Sequence, residues 1–164
     1  MKLRVAGIAN DSIVDGPGLR FTVFTQGCPH RCPGCHNPQT HDFDGGSEGD
    51  TGEIIAKIRK NPLLDGVTLS GGEPFSQPEP CTEIAKAAHS LGLNVWSYSG
   101  YTFEELFQRG TEAQKALLQE LDVLVDGRFE IEKRSLDCRF RGSSNQRLIN
   151  VPASLKVGRA VEIE

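Results

Sequence analysis

Apolar and polar residues alternate over residues 19–25, around β-branched and aromatic side chains, which predicts a strand with one face on a core. That strand runs directly into a cysteine-bearing segment. From 27 to 49 the chain is rich in Gly, Pro, His, Asn and Asp and holds no sustained period, so it reads as one long loop. Loops of that length inside compact domains usually serve function. Asp50 with Glu53 has the form of a capping box opening a helix whose apolar side carries Ile54, Ile55 and Ile58. A second strand is expected over 66–70, then a helix over 79–91 with Ile84, Ala85, Ala88 and Leu91 on one side and Gly92 as its stop. A third strand over 93–98 precedes two more capping boxes, Thr102 with Glu105 and Thr111 with Gln114, each ahead of a leucine-bearing helix. Residues 123–126 form a fourth strand, almost wholly apolar, as expected where both faces are covered. Beyond Gly127 the pattern weakens, and 147–151 and 160–164 are the remaining strand candidates.

Strands alternating with helices predict an α/β fold with a parallel sheet of repeated βα units. A full eight-unit barrel takes about 250 residues, and this chain has 164. A single domain over 1–164 is therefore expected, as a partial TIM-like barrel or an open sheet. Either way the chemistry belongs at the carboxyl ends of the strands. Three motifs fall there: the cysteine segment after the first strand, Gly71-Gly72-Glu73-Pro74 after the second, and Ser99-Gly100-Tyr101 after the third.

Composition narrows the classes. No apolar run approaches the roughly 20 residues of a membrane span, and the basic start at Met1 is not followed by the apolar stretch of a secretory signal. A formal net charge of -4 gives no dominant nucleic-acid surface. Cysteine changes the picture most: with no secretory signal, five thiols are expected reduced in the cytoplasm and point to metal or redox chemistry before disulfides. Cys28, Cys32 and Cys35 are spaced C-x3-C-x2-C on one loop, where Gly27, Pro29, Pro33 and Gly34 allow sharp turning. A structural zinc site takes four Cys or His ligands, and an electron-carrier 4Fe-4S cluster takes four cysteines. Only three are local here. A three-cysteine cluster leaves one iron open to a substrate or cofactor. A zinc site completed by His30, His36, His41 or a distant cysteine, as in a non-catalytic zinc-binding adaptor, is the alternative at this point. The three histidines otherwise read as positioners of a bound cofactor. Cys81 reads as a small core residue, and Cys138 carries no assignment.

The combination of C-x3-C-x2-C after a first strand and Gly-Gly-Glu-Pro after a second resembles the radical S-adenosylmethionine (SAM) enzymes. Asp15-Gly16-Pro17-Gly18-Leu19-Arg20 and His36-Asn37 are similar to the activases of glycyl-radical enzymes. Ser99-Gly100-Tyr101, the run Val123-Leu124-Val125-Asp126-Gly127-Arg128-Phe129, and Arg141-Gly142-Ser143-Ser144-Asn145-Gln146 narrow the likeness to those serving anaerobic ribonucleoside-triphosphate reductase. The short chain fits these better than the pyruvate formate-lyase type.

The resemblance implies an incomplete TIM-like barrel of the radical SAM type. It also implies a 4Fe-4S cluster on Cys28, Cys32 and Cys35 whose fourth iron is open to SAM. The reaction implied is reductive cleavage of SAM to a 5′-deoxyadenosyl radical that removes hydrogen from a glycine of the partner reductase. A low-potential electron donor such as a flavodoxin or ferredoxin is implied, with no nucleic acid and no membrane. By position, Gly34, Cys35 and His36 line the cofactor, Gly71 and Gly72 let backbone approach its methionine part, and Glu73 receives its ammonium. Gly72 is expected to tolerate no side chain. Ser97 and Asp126 are expected at the cofactor, Asp126 alternatively as a helix cap. Arg20 reads as solvated surface or a contact residue, and residues 141–146 as a partner-docking loop or a site closure.

Overall fold

Among residues 1–163, which the computed structural model describes, seven strands form one sheet. In chain order they are β1 (Lys2–Ser12), β2 (Arg20–Thr25), β3 (Ser47–Asp50), β4 (Gly66–Gly71), β5 (Asn94–Tyr98), β6 (Val123–Asp126) and β7 (Arg147–Asn150). Their spatial order is β3-β1-β2-β4-β5-β6-β7. The neighbours β2, β4, β5 and β6 run parallel, while β1, β3 and β7 pair antiparallel at the flanks. Helices α1 (Thr51–Arg59), α2 (Pro78–Ser90), α3 (Phe103–Arg109) and α4 (Glu112–Gln119) lie between the parallel strands, and α5 (Val151–Val157) follows β7. The expected sheet of βα units is thus the centre of an incomplete barrel. No described helix is long and apolar enough to cross a membrane.

Capping chemistry sets two of the helix starts as expected. Thr102 and Thr111 each accept from the backbone three residues on, and Glu105 and Gln114 return the bond. Asp50 differs. Its side chain makes no cap bond and accepts instead from the Met1 ammonium at 3.1 Å. Two strands are additional to the expected set. In β1 the register shifts between Val5 and Gly7 and between Ala9 and Ser12, and such bulges interrupt the period of two that marks a strand. The strand β3 is four residues long and has no buried side chain, so residues 27–49 are not one uninterrupted loop. Of the 160–164 candidate, the described part pairs with β7 through Asn150 N to Val161 O and Ile163 N to Leu148 O, both 2.8 Å. Glu164 lies outside the described residues.

Strand alternation divides the interior in two. Phe21, Val23, Val67, Leu69, Val95, Leu124 and Ile149 join Ile54, Ile58, Ile84, Leu106, Leu117 and Leu118 in the main core. Cys81 belongs to that core, and burial pushes its thiol well up. The opposite sheet face carries a smaller cluster of Trp96, Val123 and Val125, against which Tyr98, Phe140 and Leu148 pack.

Arg20, at the start of β2, belongs to this second face and is wholly buried, not solvated. Its Nε donates to Thr68 Oγ1 at 2.7 Å, Nη1 to Pro17 O at 3.1 Å and Nη2 to Val67 O at 3.0 Å. The guanidinium also lies 5.5 Å from the Trp96 ring centroid. Burial lowers its pKa to about 10, opposed by the Asp65 carboxylate. Arg20→Ala would remove the donors to Thr68 Oγ1, Pro17 O and Val67 O together and is expected to cost about 3 kcal/mol or more. Urea unfolding measures this, and a loss below about 1 kcal/mol would show that the buried guanidinium is not a structural bolt.

Candidate active site

The carboxyl ends of β2 and β4 are stitched together by backbone. Gly72 N donates to Thr25 O and Glu73 N to Gly27 O, both at 2.8 Å. Gly71 is left-handed at φ 94°, and a Cβ there would collide with the Thr25 backbone. A Cβ on Gly72 would strike the Gly27 carbonyl. The side-chain exclusion expected at Gly72 therefore has a cause inside the fold: the close approach is to the root of the cysteine loop. The other side of that root is tied by Gly27 N to Thr40 O at 2.7 Å and Cys28 N to His41 O at 3.1 Å.

From this root the loop carries Cys28, Cys32 and Cys35 to the edge of one cavity of about 450 Å³. Small-molecule sites range over about 300–1,000 Å³. His30, His36, His41, Gly71, Gly72, Ser99 and Gly100 also border it, and Val14, Asp15, Phe129, Phe140, Arg141 and Gln146 close the remaining sides. Turning within the loop uses Arg31 at φ 50° and Gly34 at φ 72°. Cys35 N donates to Cys32 O at 3.1 Å, and Asn37 N donates to Cys35 Sγ at 3.4 Å. Burial pushes the Cys28 and Cys32 thiols up, and binding a metal there as thiolates would release their protons to solvent.

Among the described residues, no group of three or more His, Cys, Asp or Glu side chains forms a site for a single metal ion. Cys28, Cys32 and Cys35 bordering one cavity supply the thiolate donor set that a 4Fe-4S cluster uses. Arg141 Nε is buried without a hydrogen-bond partner, and this cation borders the same cavity. An acceptor on a bound molecule fits it.

A family described as a 4Fe-4S single cluster domain matches residues 14–149. The anaerobic ribonucleoside-triphosphate reductase-activating protein of Escherichia coli K12 is 34% identical over 143 residues, covering 82% of this chain and 90% of that protein. The phage T4 protein of the same name is 33% identical over 144 residues, covering 82% and 86%. The chain belongs to the family of anaerobic ribonucleoside-triphosphate reductase-activating proteins. Among solved structures, QueE from Escherichia coli has a TM-score of 0.50 at 16% identity, covering 77% of this chain and 70% of that one, a likeness of fold alone.

Within this activating-protein fold, Cys28, Cys32, Cys35, His36, Gly71 and Gly72 come together at the cavity. Four other expected positions do not. Gly34 faces Ile131, whose side chain fills the space a Cβ would need. Glu73 is wholly buried and turned away: its carboxylate accepts from Phe75 N at 3.0 Å, Gly100 N at 2.8 Å, Ser99 Oγ at 2.9 and 3.0 Å, and His30 Nε2 at 2.6 Å. Its acceptor capacity is spent on the protein, so an incoming ammonium has no claim on it. Ser97 is fully buried, and its hydroxyl donates to Tyr98 O. Strand alternation places it on the helix-covered face with Val95.

Of the two alternatives, Asp126 serves a helix start, beside the Thr102 cap of α3. Its Oδ2 accepts from Phe103 N at 2.7 Å at the start of α3, and both oxygens accept from Arg147, at 2.6 and 3.0 Å. Residues 141–146 close the site: Gln146 Oε1 accepts from Gly142 N at 2.8 Å and its amide donates to Gly127 O at 3.0 Å. Sequence reasoning missed Asp15, which lies in the Asp-Gly-Pro-Gly motif and borders the cavity. It also missed Arg128, whose motif was noted without a role.

Arg147 bridges Asp126 and Glu104, with Glu104 Oε1 at 2.6 Å. Asp126→Ala, which strands a buried N–H and half of this pair, is expected to destabilise the fold by about 3 kcal/mol. The hydrogen bond from Arg147 holds the Glu104 carboxyl below its ordinary value. Its contribution is complete above the ordinary glutamate range and is lost as pH falls through the lowered folded value. Urea midpoints measured from about pH 6 down to pH 3 should fall less steeply for Glu104→Gln than for the parent chain; identical slopes would contradict the assignment.

Proposed function

We propose that this chain is a radical SAM activase that generates the glycyl radical of anaerobic ribonucleoside-triphosphate reductase. The observation that carries this reading is the placement of three cysteines, with no fourth local one, around a single cavity at the strand ends. Membership in the activating-protein family and the 4Fe-4S family match support it. When bound, a 4Fe-4S cluster with one iron free of protein ligand supplies reductive cleavage of SAM and a 5′-deoxyadenosyl radical that takes hydrogen from a glycine Cα.

The protein's own part is binding, orientation and exclusion of water. Cys28, Cys32 and Cys35 would hold the cluster. Gly71 and Gly72 offer backbone without side-chain obstruction along the wall next to it, and His36 borders the same space. Arg141, with its unpartnered Nε, suits a carboxylate of the bound cofactor. Phe129 and Phe140 supply apolar wall, and the loop bearing Gln146 limits solvent entry. A low-potential donor of the flavodoxin or ferredoxin class would deliver the electron.

The barrel is unclosed, which suits a protein substrate better than a small one. Its sheet ends at β3 on one side and, beyond β7, at the segment that pairs through Val161 and Ile163 on the other. Val14 borders the cavity yet is 72% exposed, and its neighbour Ile13 is 74% exposed. A partner covering the opening would bury both and bring its glycine to the cofactor.

Anaerobic reconstitution with iron and sulfide tests the cofactor assignment. About four irons per chain and reductant-dependent cleavage of SAM are expected. Single alanine variants of Cys28, Cys32 and Cys35 should each lose both properties, and Cys138→Ala should lose neither. Stoichiometric zinc with no cleavage would identify a zinc adaptor instead.

A further inference from the structure

Three side chains in a line hold the middle of the cysteine loop. Arg128 Nε donates to His30 Nδ1 at 3.2 Å. Because Nδ1 accepts, the ring proton resides on Nε2 and is donated to Glu73 Oε1 at 2.6 Å. The His30 side chain is 4% exposed and that of Glu73 0%. Every other contact of Glu73 is a donor as well, the pattern of an ionised carboxylate. Gly100 is required beside this line, since a Cβ there would run into the imidazole. Tyr101 meets the same ring edge-on at 4.6 Å between centroids.

A cation, a neutral ring and an anion are thus ordered across the stretch between Cys28 and Cys32. We propose that Glu73 and Arg128, joined through His30, are positioning residues that set the cluster's reduction potential with opposite sign. The inference rests on the cluster reading above. A fixed carboxylate in a water-poor site opposes addition of an electron nearby, and a fixed cation favours it. His30 stands two residues from each of Cys28 and Cys32, so the charges bonded to its two ring nitrogens both bear on the cluster's own loop. By this arrangement the fully buried anion outweighs the exposed cation and keeps the cluster strongly reducing.

The test is a redox titration of the reconstituted holoprotein, followed by electron paramagnetic resonance, for the parent chain, Glu73→Gln, Arg128→Gln and His30→Gln. Glu73→Gln should move the potential upward and Arg128→Gln downward. His30→Gln, which can donate to Glu73 and accept from Arg128 without changing charge, should shift it least. A loop merely loosened by substitution would not give shifts of opposite sign. Null or same-sign shifts in loaded Glu73→Gln and Arg128→Gln protein overturn the inference. If Glu73→Gln fails to fold or load, Arg128→Gln, at an exposed position, decides it: a lowered potential supports the inference, and an unchanged or raised one overturns it. A parent chain that takes up no cluster overturns the functional reading, and this inference with it.

Discussion

A carboxylate buried without solvent must find all its hydrogen-bond donors inside the protein, or its ionised form is prohibitively costly. Glu73 meets that demand with donors from three separate segments. They are the turn after β4 through Phe75, the end of β5 through Ser99 and Gly100, and the cysteine loop through His30. These same segments build the cavity. The backbone bonds from Gly72 and Glu73 to the end of β2 complete the tie. Satisfying one buried charge therefore brings together three motifs that lie far apart in sequence.

Much of the scaffold was readable from local chemistry because local and tertiary demands agree there. Residues 20–25 and 123–126 alternate or run apolar as their sheet positions require, and the Thr102 and Thr111 caps are closed by their own third-position partners. The left-handed φ of 79° at Gly92 ends α2 where a glycine was expected to. The edges were not readable. Bulges in β1 and the short, exposed β3 carry no periodic signal, because the antiparallel flank they form is specified by pairing more than by burial.

The site followed the same division. Spacing identified Cys28, Cys32, Cys35, His36, Gly71 and Gly72 as reaching the cavity, since both segments sit at strand ends whatever their exact partners, but it placed Gly34 there too, which faces Ile131. Side-chain direction was not available from spacing. Glu73, Ser97 and Asp126 all lie at or near the expected end of the sheet, yet each is claimed by the protein: Glu73 by its four donor residues, Ser97 by the helix-covered face, Asp126 by Phe103 and Arg147. Arg20 shows the reverse error. A lone arginine at a strand start resembles surface, but the inward face of a partial barrel has no helix layer of its own, and its Thr68 and carbonyl acceptors require a donor there.

The activity proposed for this cavity is delivery of a carbon radical to a glycine of a protein partner. Its most direct measurement combines the cluster-loaded chain, SAM, a low-potential reductant and anaerobic ribonucleoside-triphosphate reductase carrying α-deuterated glycine. A glycyl radical signal in electron paramagnetic resonance, accompanied by deuterium in the 5′-deoxyadenosine formed, is the predicted result. Cleavage of SAM with neither a radical on the reductase nor deuterium in the product would contradict it.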